Sequence, residues 1–69
     1  MDAKLTLRQW RMLNDIKLKD FAKEVGVTAG AVANWERAKT FPDVPQIIKI
    51  EKALGVQFKD INFLNNDTV

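Results

Sequence analysis

Three consecutive residues, Gly26-Val27-Thr28, limit what this chain can fold into more than any others. Glycine accepts positive φ without a Cβ clash and is a common stop for a helix. Threonine is a preferred N-cap, because its hydroxyl accepts a hydrogen bond from a free backbone N–H of the helix it starts. Only Val27 lies between the stop and the cap. Upstream, Leu18, Phe21, Ala22 and Val25 recur at i, i+3, i+4 and i+7, the single apolar stripe of a helix running from about Lys17-Leu18 to Val25. Downstream the spacing predicts a helix over 29–37, with Val32 and Trp35 as its apolar residues and Ala29 and Ala31 as small neighbours.

Two helices joined by so short a turn form a helix-turn-helix unit. The rest of the chain supplies the elements to enclose it. A first helix is capped by Thr6, with Gln9 completing a Thr-x-x-Gln capping box, and ends at Asn14-Asp15. Its inward residues are expected to be Leu7, Trp10, Arg11 and Leu13. Residues 38–42 form a loop. Asp43 and Gln46 make a second box at the start of a fourth helix, which Gly55 stops. Pro45 is tolerated in its first turn, where a missing N–H leaves nothing unpaired. Ile47, Ile48, Ile50, Ala53 and Leu54 are expected to face inward. A short fifth helix is expected over about 57–64, burying Phe58, Ile61 and Leu64. Residues 65–69 read as a frayed tail. The fold class expected is all-α, a compact five-helix bundle in one domain spanning 1–69, with its core in about 5–64.

Composition narrows the function. The chain has 69 residues and contains no Ser, His, Cys or Tyr. The usual nucleophiles and general bases are missing, so an enzyme is not expected. Disulfides and a zinc site are excluded with them, and no cofactor or small-molecule ligand is expected. No apolar run approaches the roughly 20 residues of a membrane span, and no apolar signal core follows Met1, so a cytoplasmic protein is expected. Residues 1–39 hold eight Lys/Arg and five Asp/Glu, a balance of +3, against three and four, or −1, in residues 40–69. A basic first half suits an anionic partner; the alternative is an ordinary solvated surface, and charge alone does not decide between them.

From Ile16 to Ala38 the sequence resembles the repressor/Cro helix-turn-helix family of bacteriophages and their XRE-like bacterial relatives. The resemblance is carried by Phe21-Ala22, Gly26-Val27-Thr28, Val32 and Trp35-Glu36, and downstream by Pro42 and Ala53-Leu54-Gly55-Val56. It extends over about residues 5–64 and implies a lambda-repressor-like DNA-binding domain. Three positions depart from the family pattern. Leu18 stands where Gln usually touches a phosphate, Ala38 where Gly is usual, and Lys17 where Ser or Thr is usual.

The resemblance implies roles for particular residues. The third helix is the recognition helix, with Thr28, Ala29, Gly30, Ala33 and Asn34 at base-reading positions. Asn34 has two readings: pairing with adenine, or meeting only phosphate and solvent. Thr28 and Ala29 suit thymine methyls. Lys17, Lys19, Arg37, Lys39 and Thr40 are phosphate-contact candidates. Arg11 and Glu36 match positions that form a structural ion pair; the alternative is two exposed charges. Trp10 and Trp35 are expected in the core, and Lys49, Lys52 and Lys59 on a solvated face. Phe58, Ile61 and Phe63 are candidates for a dimer contact, Phe63 alternatively folding over its own core. The implied protein is a sequence-specific transcriptional regulator, repressor or Cro-like, of phage or prophage type. Its partners would be double-stranded DNA and a second copy, weakly held and promoted by DNA. The alternative is a helix-turn-helix module that binds protein and reads few bases.

Overall fold

The computed structural model describes residues 4–64, so the tail expected over 65–69 lies outside the described residues. Seven short elements follow one another: β1 Leu5–Thr6, α1 Leu7–Leu13, α2 Leu18–Val25, α3 Ala29–Glu36, α4 Val44–Leu54, a single 3-10 turn Phe58–Asp60, and β2 Ile61–Asn62. Their boundaries are set by local hydrogen bonds. The Thr6 hydroxyl accepts from Gln9 N at 3.2 Å while Thr6 N donates to Gln9 Oε1 at 2.8 Å. Asp43 and Gln46 repeat this box at α4, at 2.9 and 2.8 Å. Each box satisfies two backbone donors that a helix start leaves free.

The turn between α2 and α3 is made by Gly26 at φ 82°, which donates to the Ala22 carbonyl at 2.8 Å. Val27 N donates to the same carbonyl at 2.9 Å, closing the end of α2. Thr28 then caps α3 by accepting from Ala31 N at 3.1 Å. A Cβ on Gly26 would meet only Lys49 Nζ at 3.5 Å, so backbone angle rather than space requires glycine there.

The four helices wrap one core of Leu7, Phe21, Ala22, Val25, Val32, Trp35, Ile50, Leu54 and Ile61. Among the described residues no buried side-chain nitrogen or oxygen lacks a hydrogen-bond partner. Two residues expected inside are outside: Leu13 is 68% exposed and Ile48 is 47% exposed. Helical phase explains both. At roughly 100° per residue, Ile48 lies about 160° round α4 from Ile50, and Leu13 lies about 120° from Leu7.

The chain after Gly55 departs from expectation. No fifth helix spans 57–64, and the fold is not wholly α-helical: β2 pairs parallel with β1, Leu5 opposite Ile61 and Thr6 opposite Asn62. Gln57 offers no side-chain cap, and a helix of this length is marginal without one. Side chains engage the backbone of this segment instead. Trp10 Nε1 donates to the Asp60 carbonyl at 3.0 Å, and Phe58 N donates to Glu51 Oε2 at 2.6 Å. Ile61 is buried, whereas Phe58 and Leu64 are exposed at 49% and 66%. No helix among the described residues is long and apolar enough to cross a membrane.

Candidate nucleic-acid interface

α3 buries Val32 and Trp35 and turns Gly30 outward, with Ala29, Ala31, Ala33 and Asn34 half-buried beside it. Thr28, at its N-terminus, is exposed and keeps its hydroxyl proton free to donate, since the cap uses only the oxygen. Gly30 is not demanded by packing. A Cβ there would meet only the Thr28 hydroxyl at 3.9 Å. The Asn34 carbonyl accepts from Lys39 N at 2.9 Å and Thr40 N at 3.5 Å, holding the loop after α3. That loop passes through Ala38 at φ 60°, a left-handed angle at which alanine is strained.

Arg11 and Glu36 form a partly buried ion pair. Arg11 Nε donates to Glu36 Oε2 at 2.7 Å and Nη2 to Oε1 at 3.3 Å, while Nη1 donates to the Ile16 carbonyl at 2.8 Å. The side chains are 12% and 9% exposed. One guanidinium therefore ties α1 to the end of α3 and to the loop entering α2. Low exposure demands such pairing, because an unpaired charge drawn inward is strongly destabilising.

The phosphate-contact candidates stand at two helix ends. Lys17 and Lys19 are exposed at the start of α2, where Lys17 occupies the cap position without a side-chain bond. Arg37, Lys39 and Thr40 are exposed just after α3. A cleft of about 540 Å³ brings these ends together, with Leu18 and Arg37 both in its wall. Arg8, Gln9 and Ala33 also line it. Arg8 does not stand out in the sequence. The available signal was its i, i+3 spacing from Arg11, which puts both on one side of α1.

In a separate hollow Phe58 and Phe63 stack, with ring centroids 5.4 Å apart and 28° between planes. They line an apolar groove of about 440 Å³ with Phe41, Pro42, Ile47 and Leu64. Ile61 also touches this groove but is only 5% exposed, committed to the core of its own chain.

A family model described as helix-turn-helix matches residues 7–61. The chain is also similar to an uncharacterized helix-turn-helix-type transcriptional regulator of Methanocaldococcus jannaschii, 31% identical over 61 residues, which is 88% of this chain and 92% of the relative. No solved structure matches. The matched span runs from the first residue of α1 into β2 and so takes in the α2–turn–α3 unit, its enclosing helices and the cleft beside α3; the chain belongs to the helix-turn-helix family.

Proposed function

We propose that the chain is a transcriptional regulator that binds double-stranded DNA in a sequence-specific way, with α3 in the major groove. The observation that carries this reading is the outward edge of α3. Gly30 costs up to about 1 kcal/mol relative to alanine in a helix, yet the fold has room for a Cβ there. A bare edge between basic helix ends suits close approach to a groove wall. Lys17 and Lys19 at the start of α2, and Arg37, Lys39 and Thr40 after α3, would meet backbone phosphates. Asn34, whose side-chain amide has no partner among the described residues, suits adenine, and Thr28 and Ala29 suit thymine methyls. The edge holds no Arg, Lys or Gln, so DNA shape is expected to carry part of the specificity. The regulator of M. jannaschii is a relative of matching length.

The regulatory mode that fits is repressor or Cro-like, two copies pairing weakly on a two-fold operator with half-sites roughly 34–36 Å apart. Phe58 and Phe63, on the apolar groove, are the residues proposed to meet the second copy. Selection of bound sequences from a random duplex pool at fixed salt tests the whole reading. A two-fold consensus is expected, and Asn34→Ala should lose about 1–3 kcal/mol at one base-pair position. A pool with no enrichment would sink sequence-specific binding.

One observation favours a second reading, a protein-binding module. Among the eight residues of α3 only Glu36 is charged, and Arg11 already pairs it. Under that reading duplex affinity is negligible at every salt concentration.

A further inference from the structure

Among the described residues, the cleft between α1, the start of α2 and α3 holds more positive charge than negative. Arg8, Arg11 and Arg37 line it against one carboxylate, Glu36. That carboxylate is already engaged by Arg11 in two hydrogen bonds. Arg11 donates three bonds in all, so two of the five guanidinium N–H groups remain. Arg8 and Arg37 are exposed, and among the described residues neither is in an ion pair. Guanidiniums of like charge around one hollow focus a positive field into it. The rest of the lining includes small or apolar Ala33 and Leu18, neither of which offers a side-chain donor.

We propose that this cleft seats a phosphodiester of the DNA backbone, gripped between Arg8 and Arg37. The proposal rests on the DNA-binding reading above and adds a contact residue on α1. Three features favour this occupant. The net charge of the lining calls for an anion. The planar forks of arginine match phosphate oxygens two at a time. Ala33 lies one turn before Arg37 on the same side of α3, so a phosphate held at Arg37 borders the base pairs facing Ala33. A volume of about 540 Å³ admits the group without movement of the helices.

The test is the salt dependence of binding to a short random-sequence duplex by the full chain, with folding of each variant checked by circular dichroism. Each phosphate neutralised contributes about 0.9 to the slope of log affinity against log salt. Arg8→Ala and Arg8→Gln should both flatten the slope by about that amount. Arg8→Lys should keep the parent slope. Lys52→Ala, which removes a charge beside Glu24 at a separate hollow, should leave the slope unchanged. If the parent binds and both neutral Arg8 variants keep its slope, the cleft holds no phosphate. A Lys52 effect as large as that of Arg8 would overturn the proposal equally, since it would reflect overall charge. A parent that fails to bind the duplex would sink the DNA-binding reading and this contact with it.

Discussion

Arg11 and Glu36 stand 25 positions apart and meet at 2.7 Å, so the first helix and the end of the third are pinned by one charge pair. Removing either partner leaves the other drawn inward and uncompensated. Arg11→Ala and Glu36→Ala should each destabilise the domain by about 3–5 kcal/mol, measured from urea unfolding midpoints. The double variant Arg11→Met/Glu36→Leu should recover much of the loss. Recovery stays incomplete because the Ile16 carbonyl also loses its donor. Single variants as stable as the parent would show that the pair contributes nothing.

Ala38 sits at φ 60°. A left-handed angle costs a residue with a Cβ about 1–2 kcal/mol, whereas the entropy that glycine adds to the unfolded chain opposes folding by about 0.4–1 kcal/mol. Ala38→Gly should therefore stabilise the domain by up to about 1.5 kcal/mol. In a domain of this size that raises the thermal midpoint by about 4–8 °C for each kcal/mol. A lower midpoint would mean that Ala38 is unstrained.

Gly30→Ala should separate stability from function. The added methyl meets only ordinary contact at 3.9 Å, so the fold should gain up to about 1 kcal/mol. Duplex affinity should fall, because the methyl stands on the edge proposed to face DNA. Affinity that rises or stays level in fluorescence titrations would remove Gly30 from the interface.

Phe58→Asp should abolish cooperative binding to a site with two half-sites and leave affinity for one half-site intact. Phe58 is 49% exposed, so the change costs little core. Sedimentation and titration on both duplexes check this. Undiminished cooperativity would place the contact between copies elsewhere.

Much of the fold is legible in the sequence where it is local. The hydrogen bonds of Thr6 with Gln9, Thr28 with Ala31 and Asp43 with Gln46 span three residues each, so side-chain chemistry announces them. The segment from Phe58 to Leu64 is not legible in that way. Its i, i+3 apolar spacing imitates a helix, while the contacts it makes are distant in sequence: the Trp10 indole reaches Asp60, 50 positions away, and Ile61 pairs with Leu5. The same distinction holds at the site. Burial of Val32 and Trp35 turns Gly30 outward, and their spacing already shows it. Arg8 gains meaning only when three elements close around a cleft, which no single stretch of sequence displays.

The short parallel pairing of β1 with β2 also orders events in time. It joins the two ends of the described chain, so forming it from an open chain costs more configurational entropy than closing the Gly26 turn. Closing so wide a loop costs least once docked helices have brought its ends near. A contact formed that late would leave the rate of assembly alone and act on the rate of opening. On that account the strand carrying Ile61 is a latch on the helix-turn-helix unit, and weakening it should speed opening more than it slows assembly.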